Sequence, residues 1–179
     1  MLARDIQAFE YVPLGPFTAK NFGTTISPWI VLPAALEPYL AAPLSRSAPP
    51  LEYLREPTEK TVYDISLHVA VNGETLTANS AKNLLWSFPQ MVTHHSITGC
   101  NLRTGDLLGS GTISGEGERE AGCFLEATSG GKNPIKFEGG DRSWLLDGDE
   151  VVITGSCGQG EKKVGFGKCA GVIVPAVKI

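Results

Sequence analysis

No apolar run in this sequence approaches 18 residues, so nothing in it reads as a membrane-spanning helix. It also lacks a block of lysine and arginine, and its net charge is −4. Nothing therefore draws a phosphate backbone, and neither nucleic acid nor a membrane is an expected partner. The N-terminus does not have the basic-then-apolar layout of a secretory signal, which makes a cytoplasmic location the expectation. Cysteine is sparse: Cys100, Cys123, Cys157 and Cys169 are 23, 34 and 12 positions apart, with no CxxC. Buried, reduced thiols are the plain reading, and a zinc site or a disulfide frame is the alternative.

Several catalytic patterns are missing as well. Gly109, Gly111 and Gly115 are spaced one residue too far for GxGxxG, and Gly131-Lys132 is followed by Asn133 rather than Ser or Thr. The glycine-rich stretches are expected to be turns, not nucleotide loops. No serine lies in GxSxG, which excludes an α/β-hydrolase elbow. His94 and His95 are adjacent, so on a helix they diverge by about 100° and cannot chelate one metal. One is expected to face the core and the other the surface.

What is present suits one domain, or one piece of a larger one, of 179 residues. With 42% hydrophobic and 19% charged residues a core is feasible, and 21 glycines and 12 prolines favour short strands and tight turns. The expected class is mainly β with a few short helices. Tyr63, Ile65, Leu67, Val69 and Val71 alternate with Asp64, Ser66, His68 and Ala70, the period of a half-buried strand. Asn72-Gly73 then predicts a tight hairpin with a return over Glu74–Ala78. Ser87 and Gln90 fit a capping box opening a helix with Phe88, Met91, Val92 and His95 on one face, stopped at Gly99. Further strands are expected at Phe22–Val31, Leu107–Ile113, Cys123–Thr128, Val151–Gly155 and Lys168–Pro175, with turns at Arg103–Gly105 and Asp147-Gly148. The proline-rich residues 33–60 predict an irregular excursion, packed down, with a short helix near Ala34–Leu40.

The stretch ARDIQAFEYVPLGPFTAKNFGTT concentrates site-like chemistry. Ala3, Ile6 and Phe9 recur at helical spacing, with Arg4, Gln7 and Tyr11 on the adjacent stripe, and Pro13, Gly15 and Pro16 end the helix. A guanidinium, a carboxamide and a phenol on one stripe suit an oxygen-rich anion, and Lys20 adds a charge for a developing oxyanion. An ordinary solvated helix face is the competing reading.

This stretch, ARDIQ through SPW, resembles a signature of the fumarylacetoacetate hydrolase family. THHSITGCNLRTGDLLGSGTISG, LLDGDEVVITGSC and VGFGKCAGVIVPA resemble further family segments, in family order. The resemblance implies a mixed β-sandwich roll, here a partial one, and a homodimer. It also implies hydrolytic C–C cleavage of 4-fumarylacetoacetate to fumarate and acetoacetate, which ends tyrosine and phenylalanine breakdown, with bound Mg2+ or Ca2+ holding the diketone. Position by position it assigns Arg4, Gln7, Lys20 and Glu126 to catalysis, with Glu126 orienting the family's histidine. Gln7, Tyr11 and Thr112 match substrate-contacting residues, and Lys20 and Thr24 fall on the metal side. The wording of RDIQ, EYVPLGPF and GTISG favours this activity over acylpyruvate hydrolysis or oxaloacetate decarboxylation in the wider superfamily. The principal metal carboxylates and the general-base histidine would precede ARDIQ, and neither His94 nor His95 matches that base. Residues 1–179 are therefore expected to be the C-terminal part of a catalytic domain, without its N-terminal domain and upstream catalytic half. A catalytically inactive β-domain serving dimerisation or binding is the alternative. Strands deprived of partners predict poor solubility for the chain alone.

Overall fold

The alternating run around Leu67 becomes the middle of the main sheet. The structure is a computed structural model that describes residues 3–21 and 23–177. Its helices are α1 (Ala3–Glu10), α2 (Thr18–Asn21), α3 (Pro33–Leu36), α4 (Phe88–Ser96) and α5 (Phe124–Ala127). Its strands are β1 (Leu40–Ala41), β2 (Val62–Tyr63), β3 (Ser66–Val71), β4 (Glu74–Ser80), β5 (Glu150–Cys157) and β6 (Val164–Val172). The order β4-β3-β5-β6 forms an antiparallel sheet, and β1-β2 forms a small second one. The expected β-rich fold with short helices is borne out.

The hairpin forms as its turn residues require. Asn72 and Gly73 take φ of 51° and 84°, the left-handed values that close a two-residue connection. Asn72 does more than turn the chain. Its amide donates to Asp149 Oδ1 at 2.8 Å, and its carbonyl oxygen accepts from Glu150 N at 2.9 Å, fastening the hairpin to the start of β5. The alternating run itself is broken, however. Asp64 N donates to the Tyr39 carbonyl, which diverts Val62–Tyr63 into the small sheet. A register shift between Val69 and Ala70 then buries Ala70 as well as Val71. A bulge of this kind defeats strict alternation.

The core lies between this sheet and the residues that cross it. Leu36, Ile65, Ala81 and Cys157 are buried together, with Val31, Tyr39, Leu67, Ile113 and Phe166 packed against them. The proline-rich excursion is packed down at Leu36 and Leu54, through α3 and a 3-10 turn at Glu52–Leu54, but Leu44 and Leu51 stay exposed. Only Cys157 among the cysteines is buried; Cys100 is exposed and the other two are half-buried, all four being free. Burial pushes the Cys157 thiol up, and the charge of Asp64 adds to that.

Three expected strands are not strands. Residues 23–31 run extended without a ladder, Phe22 lying outside the described residues. Pro28 has no N–H to give, and side chains take over. Ser27 Oγ donates to the Phe166 carbonyl at 2.6 Å, and Cys169 Sγ to the Thr25 carbonyl at 3.4 Å. Trp29 closes on Gly167, where φ is 76° and a Cβ would stand 2.2 Å from the indole. Residues 107–113 form an irregular segment with Leu107 and Leu108 exposed. Cys123–Thr128 yields α5 instead, because Phe-Leu-Glu-Ala closes one helical turn and Thr128 Oγ1 bonds back to the Phe124 carbonyl at 2.6 Å. Its stop is Ser129-Gly130, at φ of 50° and 74°.

The capping box of α4 is present in both directions: Gln90 N donates to Ser87 Oγ at 3.1 Å and Ser87 N to Gln90 Oε1 at 2.9 Å. The buried face is different from the apolar one expected. Gln90 is buried while Phe88 and Val92 are exposed. The Gln90 amide earns its burial by also donating to the Leu54 carbonyl at 2.6 Å. Both His94 and His95 are exposed, so neither faces the core.

Candidate active site

α1 places three of the candidate groups. Tyr11 N donates to the Gln7 carbonyl at 3.0 Å, so helical geometry continues one residue past Glu10 and keeps Arg4, Gln7 and Tyr11 on one stripe. Arg4 and Gln7 are half-buried and Tyr11 is exposed. On the adjacent apolar stripe Ala3 and Ile6 are half-buried, while Phe9 is 90% exposed.

Lys20 sits in the single turn of α2, and Glu10 holds that turn in place. The Glu10 carboxylate accepts from Phe17 N at 2.8 Å, Thr18 N at 2.9 Å and Ala19 N at 3.2 Å. The Thr18 side chain, then these backbone donors, outweigh burial and hold the Glu10 carboxyl down at about 2. A carboxylate from the end of α1 thus caps α2 and fixes where Lys20 leaves the backbone. Sequence reading passed over Glu10, whose only local signal is an acid followed by a turn and a new helix start.

Thr112 and Glu126 belong to a second cluster. Glu126 Oε2 accepts from Ser114 Oγ and from Gly122 N, the latter at 3.1 Å. The loop that carries Ser114 is tied to β4: Asn79 Nδ2 donates to the carbonyls of Ile113 at 2.7 Å and Glu120 at 3.1 Å, and Thr77 Oγ1 to that of Arg119 at 2.8 Å. Thr112 is exposed at the entry to this loop, with its methyl against Gly122. Ser114 and Asn79 are positioning residues that the motif GTISG alone did not reveal.

Two groups therefore form, Arg4–Gln7–Tyr11–Lys20 on the helix pair and Thr112–Ser114–Glu126 on the tied loop. Among the described residues no hydrogen bond or ion pair joins one group to the other. Nor does Glu126 meet a histidine in this chain. His68 bonds Thr75 Oγ1 at 2.9 Å, His94 bonds Tyr53 Oη at 3.0 Å, and His95 lies 3.3 Å from Cys100 Sγ.

The donor set does not fit a divalent cation. Mg2+ and Ca2+ take six or more oxygens, carboxylates foremost. The described residues contain no cluster of three or more His, Cys, Asp or Glu able to hold a metal. Lys20 carries a cationic ammonium and Thr24 a single neutral hydroxyl, both exposed. What this arrangement can do is grip a carboxylate, donate to a developing oxyanion and hold one carboxylate, Glu126, whose second oxygen has no hydrogen bond among the described residues.

The sequence has counterparts among known proteins. Residues 1–174 match the family described as fumarylacetoacetate (FAA) hydrolase C-terminal, and the chain belongs to that family. It is 57% identical over 185 residues to a fumarylacetoacetase of Emericella nidulans, which covers 99% of this chain and 43% of that protein. The fumarylacetoacetase of Arabidopsis thaliana is 49% identical, covering 97% of this chain and 42% of its own length. That of Homo sapiens is 47% identical, covering 98% and 43%. The chain thus spans less than half the length of the curated relatives it matches.

Proposed function

We propose that this chain supplies the substrate-gripping and oxyanion-stabilising part of a fumarylacetoacetase, an enzyme hydrolysing 4-fumarylacetoacetate to fumarate and acetoacetate. The reading is carried by identities of 47–57%, sustained over 97–99% of the chain, with relatives of that name in a fungus, a plant and a mammal.

Hydrolysis of a C–C bond adds the hydroxyl of water to the fumaryl carbonyl carbon. The bond to the acetoacetyl carbon then breaks, its electron pair leaves as an enolate, and a proton quenches that carbon. Arg4 takes a substrate carboxylate in its fork, and Tyr11 donates to a neighbouring oxygen. Lys20, its turn anchored by Glu10, and Gln7 donate to the oxyanion. Thr112 contacts substrate from the loop tied to β4. Glu126, held on one oxygen by Ser114 and Gly122, offers the other to orient the base that activates water. That base is supplied by a residue other than His68, His94 or His95. The described residues of this chain do not by themselves make a cation cage. Homodimerisation is part of the reading, supported by the exposed Phe9 at the end of the apolar stripe of α1. So is a cytoplasmic location, supported by four free thiols. No helix among the described residues is long and apolar enough to cross a membrane.

The test mixes this chain with the complementary portion of the Emericella nidulans relative and follows loss of diketone absorbance with Mg2+ or Ca2+ present. Turnover is expected in the mixture and is expected to collapse with Lys20→Met. Turnover by this chain alone would show that its own residues hold both the base and any cation. A mixture that associates but stays inactive would sink the reading in favour of a dimerisation or binding module.

A further inference from the structure

Away from both clusters, a cavity of about 760 Å3 opens between residues 45–54 and α4. Pro50, Leu51, Leu54, Leu85 and Met91 give it apolar walls, and none of Arg4, Gln7, Lys20, Thr112 or Glu126 lines it. One wall is Trp86, with the Arg46 guanidinium 4.3 Å above its ring.

Arg46 is held firmly but not neutralised. Its Nε donates to the Leu85 carbonyl at 2.9 Å; its Nη2 donates to the same oxygen and, at 3.1 Å, to Gln90 Oε1. These acceptors are neutral, and among the described residues no carboxylate comes within ion-pair distance of the guanidinium. Glu56 lies across an adjoining hollow of about 350 Å3, one oxygen bound by Ser87 Oγ at 2.8 Å. A half-buried guanidinium favours an anionic partner, and its planar fork matches a carboxylate. Fixed in orientation by Leu85 and Gln90, Arg46 has no hydrogen bond from Nη1 among the described residues and would lose little freedom on taking one. Apolar walls with a few oriented polar groups are the usual make-up of a small-molecule site. Tyr53 and His94, bonded to each other at 3.0 Å, line the same cavity and can meet a polar substituent.

We infer that this cavity binds a planar aromatic carboxylate, its ring against Trp86 and the apolar walls and its carboxylate on the Nη1 edge of Arg46. The inference does not depend on the proposed hydrolase reading.

The experiment titrates the full chain with 2-naphthoate and, as the uncharged comparator, 2-naphthalenemethanol, by calorimetry and by saturation-transfer NMR. Saturable naphthoate binding at or below about 1 mM is expected, and at least about tenfold weaker binding of the alcohol. Arg46→Met should weaken naphthoate by about tenfold and leave the alcohol unchanged. Arg46 also braces the segment, so Leu51→Glu serves as the second variant: Leu51 is 64% exposed, and the new charge should repel naphthoate without unfolding the chain. The inference is overturned if the folded chain, checked by circular dichroism, shows no saturable naphthoate binding. It is equally overturned if acid and alcohol bind alike, or if Leu51→Glu leaves naphthoate affinity unchanged.

Discussion

The sheet and the N-terminal segment of this chain are built on opposite terms. The sheet packs firmly at its two inner strands, β3 and β5. Val71 and Cys157 are 1% exposed, and Asn72 ties the hairpin to β5 from both ends of its amide. The segment from α1 to Leu32 carries the larger share of the candidate chemistry, yet leaves Phe9, Leu14, Trp29 and Ile30 exposed. Its order rests on polar anchors, the local one of Glu10 on α2 and the long-range one of Ser27 on β6, more than on burial, which is confined to Ala19 and the packing of Val31 on the core. In this protein the inner strands are fastened from within, while the candidate groups of α1 and α2 stand on a more open surface.

The sharpest probe of that contrast is Lys20→Met in an active assembly. Removing an oxyanion donor costs about 2.7–4 kcal/mol of barrier, so kcat should fall by about 10²–10³ with KM little changed. Steady-state kinetics decides it; an equal rise in KM with kcat preserved would make Lys20 a binding residue only. Next in size is Asp149→Ala in the scaffold. Asp149 is 4% exposed and accepts from Leu146 N at 2.7 Å and Asn72 Nδ2 at 2.8 Å. Losing hydrogen bonds to a charged acceptor should cost about 1.5–3 kcal/mol in urea unfolding.

The same residue sets an acid response. Burial raises the Asp149 carboxyl, but Leu146 N, the Asn72 amide and the charge of Arg142 outweigh it and leave it below its ordinary 3.8. A depressed carboxyl contributes stability above its unfolded value and loses it as pH falls through the folded one. The wild-type chain should therefore lose stability below about pH 3.8, and Asp149→Ala should show a shallower loss over that range. Glu10 has the same sign at the other end of the comparison. Its hold on α2 should persist until pH nears about 2, which NMR titration of the Glu10 carboxyl and the Thr18 amide can follow.

Smaller effects complete the series. Ser87→Ala removes the cap of α4 and should cost about 1 kcal/mol. Phe9→Ser, at a side chain 90% exposed, should change stability by less than about 0.5 kcal/mol in the chain alone. A much larger penalty for Phe9→Ser in the active assembly would show that the apolar stripe is covered there.

Local chemistry made part of this legible beforehand. The Asn72-Gly73 hairpin, the Ser87–Gln90 box, the turn at Asp147-Gly148 and the helix over Ala3–Glu10 each depend on residues a few positions apart, and each formed where expected. The failures are of another kind. At residues 23–31 and 107–113 a β-like composition meets the edge strands β6 and β4 through side-chain hydrogen bonds instead of a backbone ladder, and Phe124–Ala127 coiled because a short apolar run carries no period. Gln90 replaced the apolar face of α4 because its amide found three partners, two of them distant in sequence.

The candidate site divides in the same way. Arg4, Gln7 and Tyr11 share a stripe because helical periodicity puts them there, and the family motifs named Thr112 and Glu126. Neither source showed Glu10 capping α2, Ser114 gripping Glu126, or Asn79 holding the loop, since each spans a fold that periodicity does not encode. The sequence by itself determined turns, caps, helix stripes and family membership, because these follow from neighbouring residues and from motif order. Only the tertiary structure decided which strands pair, which polar groups are buried and which side chains steady the candidate ones. Those outcomes depend on hydrogen-bond partners brought together from far along the chain.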